Sequence, residues 1–200
     1  MDALMSHMDS LRSGLDALAG QLDMIGEWGA LLAARLSQGH RLLAAGNGGS
    51  AAEAQHLTAE LVGRFDGERR PYSAIALTAD TASITAIGND YGYEQVFARQ
   101  VAAHARHSDV VLLLSTSGRS TNLLCAVEAA RTAGATCLAM TGPGPNPLAS
   151  AVDQALCLPG TTANVQEAQL VAVHLLCRAF EVELHAGRRS TVDIVTRRVS

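Results

Sequence analysis

Residues 41–64, RLLAAGNGGSAAEAQHLTAELVGR, constrain the fold of this chain more than any other stretch. The apolar run Leu42-Leu43-Ala44-Ala45 is too short for a helix and suits a buried strand. Gly46, Gly48 and Gly49 follow, and they let the backbone turn sharply and come close to a ligand. Ser50 stands where a helix N-cap belongs, and the spacing predicts a helix from Ala51 to about Arg64. His56 and Glu60, at i and i+4, then stack on one face of that helix. A strand, a glycine turn and a helix start make an anion site, because free N–H groups and the positive end of the helix dipole face the ligand. An imidazole and a carboxylate further along the same helix place acid–base or metal chemistry beside it.

Two hundred residues, 48% hydrophobic and 17% charged, suit one globular domain, 1–200, with a full core. The net charge is −4, and basic residues gather only in short pairs such as Arg69-Arg70 and Arg188-Arg189. That distribution argues against nucleic acid as a partner. All 15 basic residues are arginine, so a Schiff-base lysine and a Walker-type phosphate loop are both excluded. Cys125, Cys137, Cys157 and Cys177 are widely spaced with no CxxC, as expected of reduced thiols in a cytoplasmic protein. Asp2 and Asp9 at the N-terminus, without an apolar h-region, argue against a signal peptide. No apolar run approaches the length of a membrane span, so no membrane is expected as a partner.

Residues 2–38 read as a helical arm broken near Gly20, with Leu11, Leu15 and Leu18, then Leu22, Ile25 and Trp28, at helical spacing. The arm needs something to cover, either its own domain or a second subunit. The core is expected over 41–185. Further strands are expected at 73–78, 110–114, 136–140 and 155–158, and further helices at 81–87, 93–105, 120–132 and 162–185. Gly134 ends one helix as a C′ glycine, and Gly142-Pro143-Gly144-Pro145 stops either kind of element. Thr162 or Asn164 is the expected cap of the last helix, and the polar tail after Gly187 is left unassigned. Strands alternating with helices predict an α/β fold: a three-layer, doubly wound parallel sheet of five strands. In the flavodoxin-like order 2-1-3-4-5, ligands bind in the crevice between strands 1 and 3. The glycine turn follows strand 1 and Ser115-Thr116-Ser117-Gly118-Arg119-Ser120 follows strand 3, so both face that crevice.

Gly46-Asn47-Gly48-Gly49-Ser50-Ala51 formally matches GxGxxA. A dinucleotide site wants an acid about 20 positions on, at the end of the second strand. Here that end lies near Asp80, too far along, so no nucleotide cofactor is expected. The hydroxyls of the serine-rich turn, facing a second anion loop, suit a monoester phosphate held by neutral donors. His56 and Glu60 on one helix, with Gln166 and His174 on another, could form a zinc site or an acid–base pair. Gln166, Glu167, Gln169 and His174 make a polar stripe that plain packing would avoid.

AAGNGGSAAEAQHLTAELVGRF, IALTADTASITAIGNDYGYEQVFARQV, LLLSTSGRS and TTANVQEAQLVAVHLLCRAFE closely resemble the sugar isomerase (SIS) fold, specifically phosphoheptose isomerases. The resemblance spans residues 41–183, and the helical arm also fits it. It implies homotetramers whose active sites are completed by neighbouring subunits. It also implies conversion of sedoheptulose 7-phosphate to an aldoheptose 7-phosphate. On that basis Ser50, Ser115, Ser117 and Ser120 hold the phosphate, and Asn47, Asp90 and Thr116 touch the sugar, with Gly48, Gly49 and Gln166 completing the substrate contacts. Glu60 and His174 form the proton-transfer pair, and His56, Glu60, Gln166 and His174 correspond to the zinc ligands of some members. Two positions depart from the family pattern: Arg119, usually Asn, and Ala163, an Asp in some members. A non-catalytic relative of the same fold binds the bacterial replication initiator as a tetramer. Such a scaffold has no use for the Glu60–His174 pair.

Overall fold

The computed structural model describes residues 1–198, with side chains through Gly187. Five parallel strands form one sheet in the order β2-β1-β3-β4-β5. They are β1 (Leu42–Gly46), β2 (Ala74–Ala76), β3 (Val110–Ser115), β4 (Thr136–Thr141) and β5 (Gln154–Cys157). Every residue of β1 and β3 is buried, as a sheet covered on both faces requires. Alternate residues serve opposite faces. Leu42 and Ala44 of β1, with Val110, Leu112 and Leu114 of β3, join one apolar cluster. Leu43 and Ala45, with Val111 and Leu113, join the other. The expected α/β architecture and strand order are those observed.

One face carries α1 (Asp2–Ala19), α2 (Leu22–Ser37), α3 (Gly49–Val62) and α8 (Thr162–Arg198). The other carries α4 (Thr81–Tyr91), α5 (Val96–His104), α6 (Thr121–Ala133) and α7 (Pro147–Ala151). Both helices of the arm pack on their own domain, Leu18 of α1 joining the same apolar cluster as α2. Helix α2 packs on its own domain, burying Ile25, Trp28, Leu32 and Leu36. A Cβ on Gly29 would lie 2.5 Å from that of Ala179 in α8, so the two backbones approach closely. Each fully buried side chain of this size contributes about 1.5–3 kcal/mol, which makes α2 part of this subunit's core. Helix α1 instead leaves Leu4, Met5 and Met8 exposed, at 71%, 51% and 45%.

Several boundaries differ from expectation. Helix α3 starts at Gly49, so the cap position falls on Gly48, whose φ of 57° only glycine adopts readily. Ser50 is therefore not the cap; it lies inside the first turn and is buried. Strand β2 is three residues long. Helix α4 runs on to Tyr91 and is capped by Asp80, which accepts from the Ser83 amide. A 3-10 turn, Tyr93–Gln95, leads into α5. Helix α7 was not expected; Asn146 caps it by accepting from the Ala149 amide at 2.9 Å. Helix α8 starts at Thr162, with Asn164 in its first turn, so neither is the cap; the helix continues to Arg198 through the unassigned tail. Among the described residues, no helix is long and apolar enough to cross a membrane.

Candidate active site

Paired strands bring the two anion loops side by side. Gly46 of β1 is in register with Leu114 of β3, so residues 47–50 and 116–120 leave the same edge of the sheet next to each other. This is the crevice where the strand order reverses. In the first loop, the Asn47 side chain exchanges hydrogen bonds with Asn122 at 3.0 and 2.9 Å, tying the loop to α6. The Tyr93 hydroxyl donates to Asn47 Oδ1 at 3.0 Å. In the second loop, Ser115 Oγ accepts from the Gly118 amide at 3.0 Å, and Ser117 Oγ accepts from the Arg119 amide at 3.3 Å. Ser120 caps α6 by position, and its side chain makes no capping bond. The Gly142 amide donates to Ser115 O at 3.1 Å, and a Cβ on Gly142 would collide with Thr116 O. The exit of β4 thus fixes the serine loop through backbone alone.

Helices α3 and α8 lie side by side and ascend together from this edge. The Gln166 amide lies within 2.5 Å of where a Cβ on Gly49 would be, so only glycine lets the two meet. Ser50 Oγ donates to Gln169 Oε1 at 3.4 Å, and Gln169 Nε2 donates to Met140 O at 2.8 Å. Two turns higher, His56 Nε2 lies 2.9 Å from His174 Nε2, and His56 Nε2 lies 3.2 Å from Glu60 Oε1. Phe65 walls this trio, its ring centroid 5.6 Å from that of His174.

The structure therefore brings together His56, Glu60 and His174 at one point, and Asn47, Gly48, Gly49, Ser50, Ser115, Thr116, Ser117 and Ser120 at the loops below. Gln166 stands beside Gly49, at the loop end of α8 rather than in the trio's hydrogen bonds. Asp90 is exposed near the end of α4, and its described hydrogen bond is from Asn89 Nδ2 at 2.8 Å. Asn122, Tyr93 and Phe65 were missed from sequence. Only contacts across the fold reveal them, and none belongs to a recognisable spacing. A groove of about 800 Å³ between α2 and α8, lined by Ala33, Ser37, Arg70, Tyr72 and Leu184 among others, carries none of this chemistry.

One ligand atom each from His56, Glu60 and His174 lies within 4.8 Å of the others. Tetrahedral zinc–nitrogen bonds of about 2.0–2.1 Å put ligand atoms close to 3.3 Å apart. The 2.9 and 3.2 Å separations fit that figure. Without a metal, the short His56–His174 contact requires one ring nitrogen to donate and the other to accept.

Glu53, one turn before His56, has a buried Oε2 with no hydrogen-bond partner. Burial raises its pKa, and the nearby His56 pulls partly the other way. A raised carboxyl pKa penalises folding once pH climbs above the ordinary glutamate range, and the penalty is absent below it. Glu53→Gln is therefore expected to raise Tm at pH 7–8, with the difference vanishing as pH falls below about 4. Thermal scans across that range check it.

The SIS domain family model matches residues 7–142. The phosphoheptose isomerase of Streptomyces coelicolor is 57% identical over 185 residues, covering 92% of this chain and 80% of that protein. The structure of the Francisella tularensis phosphoheptose isomerase matches with a TM-score of 0.83 at 38% identity, covering 90% of this chain and 96% of the other. The Neisseria gonorrhoeae phosphoheptose isomerase structure matches with a TM-score of 0.80 at 35% identity, covering 90% and 98%. The fold, the paired loops and these likenesses agree: the chain belongs to the phosphoheptose isomerase family of SIS-domain proteins and is an isomerase.

Proposed function

We propose that the protein converts sedoheptulose 7-phosphate to an aldoheptose 7-phosphate through an enediolate. The observation that carries the reading is the convergence of Glu60 and His174 above two phosphate-competent loops. Ser50, Ser115, Ser117 and Ser120, with the loop amides and the start of α3, hold the phosphate. Asn47, Thr116, Asp90 and Gln166 position the sugar. His56 lies six residues past Ser50, about 9 Å of helix rise, a span comparable with an extended seven-carbon chain. The phosphate end is anchored, so its binding energy orients the reacting end.

Glu60 removes a proton from C1 of the ketose and returns it to C2. As C1–O becomes the aldehyde and C2–O the hydroxyl, His174 moves the oxygen-bound proton between them. In the competing metal description His56, Glu60 and His174 would hold a zinc ion, with Gln166 reaching it only if its side chain turns away from Gly49; the ion when bound would stabilise negative charge on the enediolate oxygens. The trio's separations support that metal. A scaffold for a replication initiator is not favoured, since binding alone gives no reason to gather a carboxylate and two imidazoles at the crevice.

The test is direct. The protein is incubated with sedoheptulose 7-phosphate, zinc-replete or chelator-stripped, and the aldose is followed by NMR. Absence of turnover in both conditions overturns the reading.

We also propose a homotetramer with sites at subunit interfaces. The exposed Leu4, Met5 and Met8 of α1, with Val171 and Val182 of α8, are apolar surface in need of cover. Light scattering is expected to return four times 20.8 kDa, and a monomer at micromolar concentration contradicts it.

A further inference from the structure

We propose that Arg69 is a positioning residue for proton transfer, fixing the end of α3 against α8 so that Glu60 keeps its place beside His174. The inference rests on the roles of Glu60 and His174 given above. Helix α3 ends at Val62 with no basic residue in its last turn, so its final carbonyls need donors from elsewhere. Arg69, in the loop beyond, supplies most of them, and the Tyr72 amide also donates to Leu61 O at 3.1 Å. Its Nη2 donates to Glu60 O at 2.6 Å, and its Nη1 to Leu61 O at 3.0 Å and Gly63 O at 3.3 Å. On the other edge of the guanidinium, Nε donates to Glu181 Oε1 of α8 at 3.1 Å.

Glu181 follows His174 by seven residues, two helical turns, so both project from the face of α8 turned toward α3. One planar group therefore bonds the backbone of the residue carrying the base and the helix face carrying its partner. The two charged side chains are only 4% and 8% exposed, and neither could stay buried without the other. The rings of Tyr72 and Phe180, 5.5 and 5.6 Å from the guanidinium carbon, confine it further. Glu60 has little else to hold it. Its carboxylate meets His56 at 3.2 Å and is 22% exposed, so its place depends on the backbone beneath it. That backbone lies in the last turn of a helix, where fraying begins.

Lysine at position 69 could keep the charge pair with Glu181, but a point charge cannot serve both edges of the fork. R69K is assayed with sedoheptulose 7-phosphate well below its Tm. The expected result is a kcat about 10–100-fold lower with KM within about threefold, because the phosphate loops lie at the other end of α3. Zn²⁺ affinity of the metal-stripped protein, read by competition with a chromogenic chelator, is expected to fall by about 10–100-fold. Asp109→Asn is the control for plain destabilisation. Asp109 accepts from the Arg41 and Arg106 amides in the turn before β3; it shares an end of the sheet with Arg69, but its described partners belong to neither α3 nor α8. Its loss is expected to lower Tm while leaving kcat and zinc affinity unchanged.

Should R69K fail to fold, Glu181→Gln keeps an acceptor for Arg69 Nε while removing its countercharge, and is expected to lower kcat about 3–10-fold. Wild-type kcat and zinc affinity in the folded variants, with Glu60→Gln inactive, overturns the positioning role. So does an equal loss in Asp109→Asn. An inactive wild type, or an active Glu60→Gln, instead overturns the roles on which the inference stands.

Discussion

Glu60→Gln is expected to lower kcat by about two to four powers of ten while the sugar phosphate still binds. The substitution keeps the shape of the side chain and removes the group that accepts the carbon-bound proton. The phosphate loops are untouched, since they lie at the start of α3 and Glu60 near its end. KM, or a directly measured Kd for the substrate, is therefore expected to change by no more than a few-fold. Exchange of the C1 hydrogen with deuterated solvent separates the chemistry from every later step and is expected to stop with turnover. The same change removes one of the candidate metal ligands, so zinc affinity is expected to drop as well. Near-normal turnover in Glu60→Gln would remove this carboxylate from the mechanism.

The elements that fix this geometry differ in how plainly the sequence announces them. Strands β1 and β3 are continuous apolar runs bounded by glycine- and serine-rich turns, and they lie where that pattern places them. Alternating strands and helices announce the parallel sheet, while the order β2-β1-β3-β4-β5 is one of the two common doubly wound orders and rests on the flavodoxin-like reading. The His56–Glu60 spacing shows that two side chains share a face, and the structure gives their separation as 3.2 Å. Sequence spacing alone does not bring α8 to that face. There the Gln166 side chain of α8 lies over Gly49, while Gly29 of α2 admits Ala179 on another side of α8, close contacts between segments more than a hundred residues apart. The start of α3 was misplaced for a local reason, because Gly48 supplies the turn and leaves Ser50 free to point inward. Asn122 and Tyr93 carry no spacing signal; each becomes relevant only through its bond to Asn47. Arg69 stands in the sequence only as half of a basic pair and Glu181 carries no spacing signal; folding buries them together.

His174→Asn is expected to reduce kcat by a similar two to four powers of ten, and comparison with His56→Asn reveals why. The asparagine retains a hydrogen-bonding group near Nδ1 but offers nothing at the position of Nε2, the atom 2.9 Å from His56. If the two imidazoles and Glu60 hold zinc together, either histidine change breaks the same site. Both variants are then expected to lose the metal and comparable turnover. If His174 moves the oxygen-bound proton by itself, the loss belongs to His174→Asn and His56→Asn remains within about tenfold of wild type. The first outcome is the one expected, because the His56–His174 and His56–Glu60 separations lie near the ~3.3 Å spacing of two ligands on one zinc ion. The decisive measurement is metal content beside kcat for both variants. Stoichiometric zinc retained by His174→Asn would show that this ring is not a ligand and leave it the acid–base role alone. Near-normal turnover in His174→Asn would remove it from both.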